Sequence, residues 1–327
     1  MAIAVGATGS VTSKVGGYDT DSEAQYAFTS VSAGNLLVLT VVAFRWAQAV
    51  PDTSAIVNAV TSASGATAWS LAARKQYQKA LTGHKIEISE WYLENAPAGT
   101  VTAALDFVGA SEVMWRMSGS RYTSAATASA LGPTNTNSGN VGDTALSSGS
   151  TGTLPQADMV VRATVAAAYG TTLDEGDTAW DERASVMSDG SSNYIGFDLQ
   201  EIIVAATTAK SQTWTKNNDP TDQGWAAIIT SYKGATVNKR IEITGIDTAV
   251  NGTTGWTVRH WLTDTDGSTF RKVTGITAEA SGGKIFVTGS TVPNVADGTT
   301  VTCECDRPGA SPVKGLVGVV VGTVRDY

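Results

Sequence analysis

The chain has 327 residues, 42% hydrophobic and only 16% charged, with a net charge of −8. That length and apolar content suffice for one large or two ordinary folded domains, each with a sizeable core. Residues 1–234 carry 13 Lys+Arg against 21 Asp+Glu, and residues 235–327 carry nine of each, so no basic stripe announces a nucleic acid or an anionic membrane as partner.

The chain opens MAIAVGATGS. It lacks the basic start and apolar core of a secretory signal, so none is expected. No apolar run reaches the roughly 18 residues that span a bilayer, and no membrane insertion is predicted. Short runs rich in β-branched and aromatic residues then recur between clusters of Gly, Asn, Asp and Ser. These read as strands and turns. Strands are predicted at 25–31, 35–46, 68–77, 84–94, 100–107, 112–122, 158–169, 193–204 and 224–234. PDTSAIVNAVTSA (51–63) admits a short helix. Residues 123–156, TSAATASALGPTNTNSGNVGDTALSSGSTGTLPQ, are poor in large apolar groups. They read as a long polar surface loop or arm that touches a neighbouring subunit.

After Tyr232-Lys233-Gly234 the rhythm tightens. KRIEITGI, GWTVRHWLTD, FRKVTGITAEA, KIFVTGS, TTVTCECD and KGLVGVVVGTV give six strands in about 90 residues, the size and spacing of an immunoglobulin-like sandwich. The fold class expected is therefore all-β. A large antiparallel, jelly-roll-like sandwich occupies 1–234 and an Ig-like sandwich occupies 235–327. In TTVTCECD, Cys303 and Cys305 share one face of a strand. One residue apart, they are too constrained for an ordinary disulfide and read as reduced, buried thiols. Two cysteines and two histidines exclude most zinc arrangements.

The first candidate chemistry lies in HKIEISEWYLENAPAGTVTAALDF (84–107), which holds Glu87, Glu90 and Glu94. Strand parity sends Glu87 and Glu90 to opposite faces. Glu90 and Glu94 share a face but lie about 13 Å apart at strand rise, beyond the separations glycosidases use. A carboxylate from another strand remains a partner that parity does not exclude. The simpler reading is a strand, a Pro-Gly turn and a returning strand. No G-x-S-x-G, Walker A or G-x-G-x-x-G accompanies it. His84 and His260 lie near no nucleophile motif, and an enzyme is not expected.

The second candidate is TTLDEGDTAWDERAS (171–185), with Asp174, Glu175, Asp177, Asp181 and Glu182 in nine residues. Closely spaced oxygens of this kind hold Ca²⁺, the one cofactor the sequence suggests. The spacing matches no EF-hand, and a solvated acidic loop is the competing reading. Asp264-Thr265-Asp266-Gly267 resembles the start of a calcium loop, but its glycine falls too early and a hairpin turn accounts for it. The third candidate is the set of nine tryptophans. Trp69, Trp91, Trp115 and Trp225 belong to strands and to the core. Trp46, Trp180 and Trp214 stand at strand ends or in polar surroundings, where aromatic rings stack on sugars. Capping of the sandwich ends or a subunit contact is the plainer account of those three.

Four segments taken together, SAGNLLVLTVVAFRW, TAWSLAARKQY, ISEWYLENAPAGTVTAALDF and GWAAIITSYKG, resemble a β-rich accessory structural protein of tailed bacteriophages and phage-like gene-transfer particles. The resemblance rests on Gly34-Asn35-Leu36-Leu37-Val38, Trp69-Ser70-Leu71, Trp91-Tyr92, Gly99-Thr100-Val101-Thr102 and Tyr232-Lys233-Gly234. It covers most of residues 25–234, and the polar stretch 123–156 has no counterpart in it. It implies a multi-copy virion component, assembled in the bacterial cytoplasm, whose partners are other virion proteins, further copies of itself and host-surface polysaccharide. A head decoration protein, spike or fibre is the leading expectation. A tail fibre or baseplate component is the next, and a carbohydrate-binding or carbohydrate-active sandwich the third. The resemblance carries over no catalytic residue.

Overall fold

The computed structural model describes residues 3–8, 12–14, 24–46, 52–62, 68–108, 113–140, 142–168, 173–176, 178–186, 195–216 and 224–235. It describes 239–244, 257–261, 271–281, 284–288, 300–306 and 316–326 by their backbone course. The chain divides into a unit of Met1–Ala235 and a unit of Thr236–Tyr327. Every described element is a strand and every ladder is antiparallel, the all-β class expected from the punctuated β-branched runs.

The first unit begins with β1 (Ala4–Thr8), β2 (Thr12–Lys14), β3 (Gln25–Val31), β4 (Asn35–Arg45), β5 (Val57–Ser62), β6 (Ser70–Gln78), β7 (Lys85–Ala96), β8 (Gly99–Phe107) and β9 (Val113–Thr123). They form a broad sheet in the order β1-β9-β4-β7-β6, with β2 also on β9, and a small sheet β3-β8-β5. The chain continues with β10 (Asn135–Gly139), β11 (Ala145–Ser147), β12 (Met159–Ala168), β13 (Leu173–Glu175), β14 (Asp181–Val186), β15 (Ile195–Val204), β16 (Thr213–Lys216) and β17 (Trp225–Tyr232). Their broad sheet runs β10-β17-β12-β15-β14 and their small sheet β11-β16-β13. Adding eight to each strand number of the first pair of sheets, starting from β2, gives the second pair. The unit is a topological duplication, two jelly-roll-like sandwiches where the sequence suggested one large one.

Three apolar interiors follow from this. Tyr26, Phe28, Leu39, Trp69, Trp91 and Trp115 pack between the first broad and small sheets. Val161, Val165, Trp180, Trp214 and Trp225 do the same in the second sandwich. Between the two broad sheets, Val42, Phe44 and Ile88 of the first meet Phe197, Leu199 and Ile228 of the second. Further along the same junction, Leu36, Val38 and Tyr122 meet Val160 and Tyr232. The layers therefore run small, broad, broad, small. Both faces of each broad sheet are covered, and β4, β12 and β17 are buried along their whole length. This is why NLLVLTVVAFR and MVVRATVAAA read as continuous apolar runs without alternation.

Three expectations change. Residues 51–63 hold no helix in their described part. Val57, Val60 and Thr61 favour extended backbone, and β5 pairs with β8. The stretch 123–156 is not an arm. It supplies β10 and β11, and Ala125, Ala130, Leu146 and Leu154 anchor it in the cores. Small side chains suffice there because the segment covers broad sheets already built from larger ones. In the second unit, β18 (Lys239–Thr244), β19 (Thr257–Trp261), β20 (Arg271–Ser281), β21 (Lys284–Thr288), β22 (Thr300–Asp306) and β23 (Leu316–Asp326) match the six strands expected. Their ladders close a ring, β18-β21-β20-β19-β22-β23, where an Ig-like domain keeps two open sheets. Cys303 and Cys305 lie on β22. Their side-chain surroundings, and the turn at 264–267, lie outside the described residues.

One close approach fixes how the first small sheet docks. Gly119 on β9 lies opposite Leu39, and the Tyr26 hydroxyl donates to its carbonyl at 3.4 Å. A Cβ there would stand 2.3 Å from a Tyr26 ring carbon and 2.7 Å from Phe28. Gly119→Ala therefore has to push two buried rings, and overpacking of that kind costs about 1–3 kcal/mol. Urea denaturation should show the unfolding free energy falling by that amount, through a lower midpoint with an unchanged slope.

Candidate functional site

Polar side chains converge in the junction between the two broad sheets. On the first sheet, Thr40 of β4 pairs across the ladders with Glu90 of β7 and Ser118 of β9. On the second, Arg162 of β12 pairs with Glu201 of β15 and Thr230 of β17. Period-two alternation aims Thr40, Glu90, Arg162, Glu201 and Thr230 into the same junction as their apolar neighbours. Arg162 and Glu201 are 1% and 0% exposed and Glu90 is 0% exposed, so water hydrates none of them.

Each group is answered by another. Arg162 Nε donates to Glu90 Oε2 at 3.0 Å, and its Nη2 to Thr40 Oγ1 at 2.9 Å. Its Nη1 donates to Ser120 Oγ at 2.7 Å, to Tyr122 Oη at 2.5 Å and to Glu201 Oε2 at 3.1 Å. Glu90 also accepts from Thr40 Oγ1 at 2.7 Å, from Tyr232 Oη at 2.9 Å and from Thr230 Oγ1. Tyr122 donates to Glu201, whose other oxygen faces Arg183 Nη2 of β14 at 3.3 Å. Burial of an ion costs several kcal/mol, which is recovered only when its charge is paired and most of its lone pairs and protons are answered, as they are for Arg162 and Glu90.

The protonation states follow from the surroundings. Burial raises the Tyr122 phenol well above its ordinary value, opposed by Arg162 and reinforced by Glu201. Burial likewise raises Tyr232, and Glu90 adds to it. Both phenols stay neutral and act as donors. Burial alone would lower the Arg162 pKa, but Tyr122, Glu90 and Glu201 reverse this and hold it well above the usual range. The network is a fixed arrangement of charge in which Glu201 Oε1 alone lacks a hydrogen bond and is held only by its ion pair to Arg183.

The three glutamates of residues 84–107 take separate roles, as strand parity required. Glu87 faces the first small sheet and is 0% exposed. It accepts from the backbone amides of Ile56 at 2.8 Å and Val57 at 3.1 Å, and from Gln76 at its Nε2. Arg74 stands 3.4 Å from it. Glu87 thus anchors the start of β5. Glu94 accepts from the amides of Ser129 at 3.1 Å and Ala130 at 2.5 Å, tying the connection between the sandwiches to the end of β7. The partner that parity left open for Glu90 is Glu201, joined to it through Arg162 and closed to solvent.

The remaining candidates do not assemble into a site. Trp180 is 4% exposed and Trp214 1%. The Trp214 indole Nε1 donates to Asp198 Oδ2 at 2.7 Å inside the second sandwich. Neither ring can stack on a sugar without opening a core, which corrects the reading of both as surface aromatics. The polar residues around them in sequence point outward while the rings fill the interior. Trp46 is half-buried, edge-on to Phe44 at 5.0 Å. Asp174, Asp181 and Glu182 are exposed on β13 and β14, and Asp181 pairs with Arg183 at 3.3 Å. Asp177 and the Glu175 side chain lie outside the described residues. Among the described residues no three His, Cys, Asp or Glu side chains gather as metal ligands.

No family model, curated protein or solved structure matches this chain. Sequence reading passed over Arg162, and one signal marks it. It is the only charge in MVVRATVAAA, a run too apolar to expose a face, so its guanidinium had to be buried and paired. Removing it should show what it holds. Arg162→Ala strands Glu90 and Glu201, and breaking a buried pair from one side costs about 3–5 kcal/mol. Chemical denaturation should record a loss of that size, while Arg183→Ala, which removes one part-buried contact to a single oxygen of Glu201, should cost less than Arg162→Ala.

Proposed function

We propose that the chain is a non-enzymatic structural protein of a phage or phage-like particle, displayed in many copies on the head as a decoration protein, spike or fibre. The observation that carries this reading is the use of the buried acids. Glu87, Glu90 and Glu201 are all fully enclosed, and each is committed to side chains or amides that hold strands together. Acids used this way serve rigidity. Two clamped sandwiches followed by a barrel make a modular β-rich chain suited to display.

The phage-like motifs fall at strand positions that agree with this reading. Gly34–Val38 leads into β4, Trp69–Leu71 opens β6, Trp91-Tyr92 lies within β7, Gly99–Thr102 starts β8 and Tyr232–Gly234 closes β17. Contact with host-surface polysaccharide would then depend on copy number, since many weak contacts on one particle raise avidity without a strong single site. Of the three tryptophans considered for such contact, only Trp46 keeps an accessible part.

Antibody raised against the purified chain, applied to intact particles and viewed by electron microscopy, tests the proposal. Label over the head is the expected result. Label confined to the tail would make the chain a fibre or baseplate component. Bare particles beside abundant free protein would remove the virion reading.

A further inference from the structure

The duplication poses a physical problem of recognition. Two broad sheets of the same topology meet face to face, and every other copy of the chain carries the same two faces. The apolar groups at the junction, such as Phe44, Ile88, Phe197 and Leu199, adhere without direction and cannot tell one face from another. We propose that the Arg162 network is a pairing code that lets the first sandwich accept the second and refuse a copy of itself.

The division of donors between the faces carries the argument. Among the described residues of its own sandwich, Glu90 receives only the Thr40 hydroxyl. Its other donors, Arg162, Thr230 and Tyr232, all come from the second sandwich. Arg116, a cation of the first face, is directed to the Ile195 carbonyl at 3.0 Å. Two first faces pressed together would bury two Glu90 carboxylates stripped of Arg162, Thr230 and Tyr232, and would also take Arg116 from its Ile195 carbonyl. The second face is equally incomplete. Arg162 finds Glu201 in its own sandwich, but Glu90, Thr40, Ser120 and Tyr122 belong to the first. Two second faces would balance charge, yet they would leave two first faces with only each other for cover. Discrimination thus comes from the penalty on the wrong pair, the usual use of buried polar groups in partner choice.

The test removes the code and keeps the volume. Glu90→Leu, Arg162→Met and Glu201→Leu are combined with Tyr122→Phe and Tyr232→Phe so that no phenol is stranded. Light scattering on the full chain across a concentration series is compared with the native protein. The native chain is expected to keep one mass. The variant is expected to add a species of at least twice that mass, growing with concentration, while its circular dichroism is unchanged. Exchange of first for second sandwiches between chains keeps every contact and is open to both proteins, so only the excess in the variant reads the code. A folded variant with the native mass throughout overturns the proposal. If the combined variant does not fold, Glu90→Gln carries the test, since it drops the charge and keeps an acceptor oxygen. It should show the same larger species in smaller share, and a native mass profile for it likewise overturns the proposal.

Discussion

A guanidinium enclosed by protein must find carboxylates and hydroxyls, or its burial costs more than the fold can offset. Arg162 imposes that constraint on the first 235 residues. It sits on a strand buried along its length, and its partners come from five other strands, β4, β7, β9, β15 and the Tyr232-bearing β17 through Glu90. Those strands must therefore be in register together, and the two broad sheets must face each other in one alignment. The apolar groups around the network supply adhesion. The network supplies direction.

Other acids repeat this logic on a smaller scale. Glu87 holds the start of β5 through two backbone amides, and Glu94 holds the connection at Ser129 and Ala130. Asp52 and Lys85 form a further tie at 3.3 Å, with the Ser54 hydroxyl and Lys85 keeping the Asp52 carboxyl below its usual range. Each such tie fixes an otherwise irregular segment to a strand. A chain with few charges has placed several of them where they act as fasteners.

Much of the fold was legible. The strands at 25–31, 35–46 and 84–94 were visible because length, β-branching and flanking turn residues agreed. Of the strands that escaped notice, Thr12–Lys14, Ala145–Ser147 and Leu173–Glu175 are three residues long and too short to show a period, while Asn135–Gly139 and Asp181–Val186 are polar and partly exposed and read as loop. The duplication stayed hidden because its two halves share topology and little sequence. Its one clear trace is the absence of alternation in β4 and β12, which signals sheets covered on both faces. For the site, parity correctly separated Glu87 from Glu90. The meeting of Glu90 with Arg162 is 72 residues distant along the chain, and only the stacking of the sheets brings them together. Trp180 and Trp214 misled because polar neighbours in sequence say little about where a ring on a two-residue period points.

With the junction binding them, the two sandwiches should unfold as one cooperative body. Native-state hydrogen exchange in rising denaturant measures this directly, since cooperative units lose protection together. The amides of β4 and β12 should open at the same denaturant concentration with the same free energy. Loss of protection in β12 while β4 stays closed would contradict the account and reduce the network to a local contact.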